Sequence, residues 1–134
     1  MKVLAVDYGS KRIGLALGDT RLGLAVPLGS IENRGGESLS FIREKAREKD
    51  VSLLLLGLPL TPSGREGQRA REVREFFQKL REVLPEKVEV ILWDERDTTL
   101  EAYRMLKGVD WRKKRELKDS LSAYTLLLEY MESL

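Results

Sequence analysis

The sequence predicts an α/β domain built on a five-stranded mixed sheet, in which three antiparallel N-terminal strands precede parallel strands flanked by helices. Two observations lead to this fold class. Three short apolar segments follow one another closely at the start of the chain, as in an antiparallel meander. Helical and strand patterns then alternate, and strands joined through helices lie parallel to one another. At 134 residues the chain is predicted to form a single domain over 1–134.

The first half of the chain supplies most of the predicted sheet. Apolar segments between turn-forming residues predict three opening strands, over 2–7, 13–18 and 24–31. After Gly35 and Gly36, the spacing of Leu39, Ile42 and Ala46 predicts a helix that reaches Lys49. The continuous apolar run over 51–56 then predicts a central parallel strand, because such strands are buried on both faces.

The second half continues the alternation of helix and strand. A glycine-containing loop over 61–67 opens a second helix, and residues 88–93 form a fifth strand that leads into Asp94 and Glu95. A short helix follows, capped by Asp97 or Thr98 and running to Lys107. A last helix begins near residue 111 and reaches nearly to the C-terminus.

Composition narrows the chemistry open to this chain. It contains no Cys and no His, which excludes disulfides, thiolate ligands and Ser-His chemistry. Catalysis must then rest on carboxylates, Lys, Tyr, Ser, Thr or a metal held by oxygen ligands. No long apolar run precedes the first acid, so we expect no signal peptide, no membrane contact and a cytoplasmic location.

Positive charge is concentrated near the start of the last helix. The net charge is only +2, but residues 104–118 hold seven basic and two acidic residues. Such a run is by itself more typical of a solvated loop and helix start, and it indicates a polyanion partner only beside a site.

Acidic residues at the ends of two strands are candidates for catalysis. Asp7 ends the first strand at the sheet edge where ligands of parallel sheets gather, although an acid there also suits a turn. Asp94 and Glu95 follow the fifth strand, and consecutive strand residues face opposite ways. We favour Glu95 as the second site acid and keep Asp94 as the alternative, because one of the pair also suits the next helix N-terminus.

Asp119 is the third candidate, because it lies on a helix with apolar stripes on two sides. Those stripes consist of Ala123, Leu126, Leu127 and Tyr130, and of Leu117, Leu121, Tyr124, Leu128 and Met131. A carboxylate on a largely buried helix needs a partner. We favour a site role for Asp119 over a salt bridge to a neighbouring Lys or Arg.

Asp7, Glu95 and Asp119 together would form a cage of oxygen ligands only. Such a cage suits Mg²⁺ or Mn²⁺ rather than zinc, and one or two ions of this kind support phosphodiester cleavage. Neighbouring cations and hydroxyls are then expected to hold the nucleic-acid backbone. These expected contacts are Lys11, Arg12, Ser63, Arg96, Thr98 and Thr99.

Four ordered motifs in this chain resemble those of the YqgF family. They are the opening block Val6 to Ala16, Gly57-Leu58-Pro59-Leu60 with Gly64 and Gly67, Asp94-Glu95-Arg96 with Thr98-Thr99 and Glu101-Ala102, and Lys118-Asp119-Ser120 with Ala123. The resemblance covers essentially the whole chain. It implies a ribonuclease H-like fold akin to Holliday-junction resolvases, divalent-metal dependence, and a nuclease role in trimming precursor 16S ribosomal RNA. It also carries the family's acids to Asp7, to the Asp94-Glu95 pair and to Asp119.

Several functional alternatives stay open at the level of sequence. The leading hypothesis is a metal-dependent nuclease acting on structured RNA, with ribosomal precursor particles as partners. Branched DNA is the alternative substrate, and a nucleic-acid-binding or ribosome-associated factor without efficient cleavage is the alternative class. The sequence leaves open endonuclease or exonuclease action and a monomer or a homodimer.

Overall fold

The computed structural model describes residues 1–95 and 111–134, with side chains for 1–95 and 120–134. Five strands and three helices lie in these ranges: β1 (Lys2–Tyr8), β2 (Arg12–Asp19), β3 (Leu24–Glu32), α1 (Gly36–Glu48), β4 (Leu53–Pro59), α2 (Gln68–Val83), β5 (Glu89–Glu95) and α3 (Trp111–Glu132). The short helix predicted to end at Lys107 falls outside the described residues.

The strands form one mixed sheet in the order β3-β2-β1-β4-β5. Pairing is antiparallel between β1 and β2 and between β2 and β3, and parallel from β1 to β4 and from β4 to β5. The predicted fold class is therefore confirmed. The carboxyl ends of β1, β4 and β5 meet at one edge of this sheet, as parallel strands require.

The bounds of β4 and β5 differ most from the prediction, and their longer carboxyl ends affect the site edge, because β4 runs to Pro59 rather than to Leu56 and β5 to Glu95 rather than to Trp93. β4 begins at Leu53 rather than at Val51, whose N–H donates to the Ala46 carbonyl in the turn after α1. β5 continues through Glu95 because Glu95 pairs with Pro59 of β4. The acids predicted to follow the fifth strand are thus its last two residues.

Helices cover both faces of the sheet, with α1 and α2 on one side and α3 on the other. Alternation along β1 supplies both cores: Leu4 and Val6 pack in the α1/α2 core, while Val3 and Ala5 pack in the α3 core. All four of these side chains are fully buried. The next residue facing α3 is Asp7, so the strand pleat aims this acid toward the helix.

Helix α3 is fixed to the antiparallel half of the sheet by Ser120. The Ser120 hydroxyl donates to the Leu15 carbonyl of β2 and accepts the Gly29 N–H of β3, each at 2.8 Å. The strand register shifts at this point, between Leu15 and Ala16. The hydroxyl therefore satisfies backbone groups at a bulge in the ladder.

The burial of α3 agrees only in part with the prediction of a helix buried on two sides. Its sheet-facing stripe is buried, whereas Tyr124, Leu128 and Met131 of the second stripe are partly exposed. The partial exposure arises because only one face of α3 packs on the sheet. Among the described residues, no helix has the length and apolar character needed to span a bilayer.

Candidate active site

Asp7 lies near the end of β1, on the α3 side of the sheet. It is paired across the antiparallel ladder with Gly14 of β2 and is partly buried. The buried strand before it fixes its direction, because Val3 and Ala5 occupy the same pleat and pack in the α3 core. Asp7 is therefore a carboxylate at the rim of an apolar interior, where a bare negative charge is costly.

Glu95 reaches the same place from the far side of β4. It follows Ile91 and Trp93, which pack in the α3 core, so its side chain lies on the face that carries Asp7. Asp94 belongs to the other face of β5 and is exposed. Of the two alternatives for the second acid, Glu95 is the residue that lies beside Asp7.

The two carboxyl groups interact directly. Burial, followed by the negative charge of Asp7 and a hydrogen bond with Asp7, raises the pKa of Glu95 to about 8. A carboxyl group with this pKa keeps its proton at neutral pH, and the shared proton relieves repulsion between the two acids. Asp7 and Glu95 are thus two partly buried carboxyl groups whose negative charge must be offset by a proton or by a cation bound to their oxygen atoms.

Two further charged residues act on this pair. Arg69, in the first turn of α2, lowers the pKa of Glu95, while Glu129 of α3 raises it. Arg69 was missed by sequence reasoning. Its signal was its place at the start of a helix that follows a parallel strand, since such helix starts lie at the carboxyl edge of the sheet.

A glycine occupies β4 between the two acid-bearing strands. Val6 of β1 pairs with Leu56, which puts Gly57 beside Asp7, and Gly57 is two residues before Pro59, the partner of Glu95 in β5. A Cβ atom on Gly57 would lie 2.6 Å from Oε2 of Glu95. Sequence reasoning noted this glycine only as part of a motif, because its spatial role depends on the register between strands.

Asp119 is the predicted third acid, and its side chain lies outside the described atoms. The neighbouring Ser120 is bonded to Leu15, which pairs with Val6, the residue before Asp7. Within the described side chains, no group of three or more acids is arranged to hold a metal ion. A metal-ligand role for Asp119 therefore stays a prediction.

The predicted nucleic-acid contacts fall partly within the described chain. Lys11 and Arg12 are exposed at the turn between β1 and β2, and Ser63 is exposed in the loop after β4. That loop starts at Leu60, whose N–H donates to the Glu95 carbonyl at 3.1 Å. Arg96, Thr98 and Thr99, and the whole basic run over 104–118, lie outside the described side chains.

Asn33 holds the turn that carries Lys11 and Arg12. Its side-chain amide donates to the Gly9 carbonyl at 2.9 Å, and its backbone N–H donates to the Lys11 carbonyl at 2.8 Å. Gly9 is required in this turn, because a Cβ atom there would lie 2.5 Å from the Arg12 carbonyl oxygen. Both cations are thus carried on a turn tied to the end of β3.

The fold and this edge of the sheet define a ribonuclease H-like domain with paired carboxyl groups. Two solved structures share its fold: the complex of Fowlpox virus resolvase with Holliday junction DNA (TM-score 0.63, 14% identity, 99% of this chain and 98% of that chain) and that of Thermus thermophilus RuvC with a Holliday junction substrate (TM-score 0.61, 14% identity, 99% and 96%). At these identities the likeness concerns the fold alone.

The sequence comparisons identify the family. The family model described as "RuvX: Holliday junction resolvase" matches residues 1–133, and the chain belongs to this family. A protein from Sulfurihydrogenibium named "Putative pre-16S rRNA nuclease" is 36% identical over 133 residues, covering 99% of this chain and 91% of its own length. The predicted YqgF resemblance and nuclease class are thereby confirmed.

Proposed function

We propose that this chain is a metal-dependent nuclease that hydrolyses phosphodiester bonds at the ends of precursor 16S ribosomal RNA in the cytoplasm. The observation that carries the proposal is the contact between the carboxyl groups of Asp7 and Glu95. The name of the Sulfurihydrogenibium relative supports the choice of RNA.

A divalent cation fits the chemistry of this pair. Asp7 and Glu95 offer only oxygen donors, and the raised pKa of Glu95 reflects an environment that disfavours two uncompensated negative charges. Asp7, Glu95 and, by prediction, Asp119 would hold Mg²⁺ or Mn²⁺. When bound, such ions supply an activated water and stabilise the leaving oxygen of a phosphodiester.

The remaining residues of the edge serve to bind the substrate. Lys11 and Arg12 lie exposed on the turn that follows β1, and Arg69 places a positive charge near Glu95. Positive side chains attract the phosphate backbone and fix its register without reading bases. Ser63, Arg96, Thr98 and Thr99 are further proposed contacts to the same backbone.

A cleavage assay tests the proposal. Purified protein is incubated with a labelled precursor 16S RNA fragment that spans a mature end, in Mg²⁺, in Mn²⁺ or in EDTA. We expect cleavage with either metal and none with EDTA. For the site variant Asp7→Asn, the matched control is Asp50→Asn. Asp50 is exposed with φ 52°, a backbone conformation that asparagine also adopts. This variant should cleave like the original protein.

Holliday junction DNA is the second candidate substrate, supported by the family description and by the substrates in the two similar structures. Symmetric cleavage of a four-way junction, with the RNA left intact, would replace the RNA proposal. Symmetric cleavage also requires two active sites, so the protein should then sediment as a dimer. Binding of either nucleic acid without metal-dependent cleavage would overturn the nuclease proposal and favour a binding factor.

A further inference from the structure

We propose that Gly57 is the positioning residue of this site, since only a residue without a side chain at this point of β4 lets Glu95 reach Asp7. The proposal concerns the placement of the proposed metal-binding pair, and so it rests on the proposed function. Its geometric part stands independently of metal or substrate.

The sheet order creates the need for a gap at position 57. β1 and β5 are not neighbours; β4 lies between them. Side chains on one face of a sheet stand between those of the flanking strands, so acids on β1 and β5 meet only across the intervening strand. Glu95 therefore has to extend over β4 to reach Asp7.

Contacts at Gly57 show that the Glu95 side chain takes this path. A Cβ atom at position 57 would lie 2.6 Å from Glu95 Oε2 and 3.3 Å from Glu95 Cδ. The carboxyl group thus occupies the volume that any other residue would fill. Leu126 of α3 covers the same spot, with its Cδ2 atom 3.2 Å from that Cβ position.

A substituted side chain would displace Glu95 rather than the sheet. Gly57 pairs with Trp93 inside a continuous parallel ladder, which fixes its backbone. The obstructing oxygen is at the end of a flexible side chain, which moves at lower cost than a strand. We therefore expect Gly57→Ala to keep its fold and to lose the contact between Glu95 and Asp7.

Gly18 offers a matched control on the same face of the sheet. It pairs with Val3, and a Cβ atom there would lie 3.0 and 3.2 Å from the two methyl carbons of Leu127 and 3.2 Å from Met131 Sδ. Gly18→Ala thus also crowds α3, but at the opposite end of β1. Any effect that comes only from pressing on α3 should appear in both variants.

The first test is the crystal structure of each variant without metal. In Gly57→Ala the Glu95 carboxyl should move away from Asp7, whereas in Gly18→Ala the two acids should stay in contact. An unchanged contact in Gly57→Ala would overturn the proposal. This readout requires neither metal binding nor cleavage, so it decides the role of Gly57 even if the proposed function fails.

The second test measures the binding of Mn²⁺ by calorimetry. We expect Gly57→Ala to weaken binding at least tenfold and Gly18→Ala to leave it unchanged. If Gly57 acts through Glu95, the two effects are not additive: adding Gly57→Ala to Glu95→Ala should cause no further loss. A further loss of similar size would show that Gly57 acts on something other than Glu95.

A shorter acid supplies a rescue test. In Glu95→Asp the carboxyl group is drawn back by one methylene, which leaves room for a methyl group at position 57. Gly57→Ala should therefore cost Mn²⁺ affinity less in the Glu95→Asp background than in the original protein. An equal cost in both backgrounds would contradict a steric role. Should Gly57→Ala fold poorly alone, restored folding in the double variant would support the same clash.

Discussion

The Glu95 carboxyl group is hydrogen-bonded to that of Asp7, although the two residues lie on strands separated by β4. Burial, the negative charge of Asp7 and this hydrogen bond raise the pKa of Glu95 to about 8. In the metal-free protein at neutral pH, Glu95 therefore carries a proton, whereas in the unfolded chain, with an ordinary value of 4.5, it does not. The two predictions that follow depend on this difference.

Metal binding is expected to strengthen with rising pH. A cation held by this pair displaces the Glu95 proton, so Mn²⁺ affinity should rise by about tenfold per pH unit below pH 8 and level off above it. Calorimetry at several pH values, in buffers of different ionisation enthalpy, measures both the affinity and the protons released. Affinity that is independent of pH between 6 and 8 would show that Glu95 is not a ligand.

Stability of the metal-free protein is expected to change in the opposite direction. Between pH 4.5 and about 8 the folded state holds a proton on Glu95 that the unfolded chain has lost, so the free energy of unfolding falls as pH rises. The total change is on the order of a few kcal/mol. Thermal unfolding in EDTA between pH 5 and 9 should show a falling Tm.

Asp7→Asn separates the site role of Asp7 from a role in the turn. The substitution keeps the shape of the side chain but removes its negative charge, so we expect metal-dependent cleavage to fall by at least a hundredfold with the fold retained. The pKa of Glu95 should also fall, which reduces the loss of stability toward pH 8 in EDTA. Unfolding of this variant at every pH would instead favour the turn-forming role of Asp7.

The sequence predicted the fold and the edge on which the acids lie, because hydrophobic periodicity and the crossover rule depend on local pattern. The choice between Asp94 and Glu95 needed strand pairing: β5 extends through both acids, and its pleat leaves Asp94 exposed. Gly57 was beyond sequence reasoning for a related reason, and Arg69 had only the coarse signal of its place at a helix start near this edge. Their importance comes from which strand or helix start lies beside Glu95, and sequence spacing does not encode that neighbourhood.

The contacts of Ser120 are likewise not visible in sequence spacing, and they determine the expected effect of Ser120→Ala on stability. Its hydroxyl is fully buried and bridges Leu15 of β2 and Gly29 of β3, residues far from it in the chain. Ser120→Ala leaves a buried N–H and a buried carbonyl without this partner, which costs about 1–3 kcal/mol. Urea unfolding should show this loss, whereas Ser40→Ala, on the exposed face of α1, should change stability by less than about 0.5 kcal/mol.

The turn held by Asn33 leads to a prediction about nucleic-acid binding. Asn33→Asp keeps the side-chain shape, but its carboxylate cannot donate to the Gly9 carbonyl, so the turn carrying Lys11 and Arg12 loses that hydrogen bond. One such bond is worth about 1 kcal/mol, and we expect about fivefold weaker binding of the precursor RNA fragment. Fluorescence anisotropy in EDTA measures binding without cleavage.

The salt dependence of RNA affinity shows whether Asn33 acts through Lys11 and Arg12. Lys11→Ala and Arg12→Ala each remove a phosphate contact, so each should reduce the slope of log affinity against log salt concentration by about one or less. Asn33→Asp also adds a negative charge, and Asn33→Ala therefore serves as its neutral counterpart. If Asn33→Ala binds the RNA as tightly as the original protein, with the same salt slope, then the turn needs no support from Asn33 to present Lys11 and Arg12.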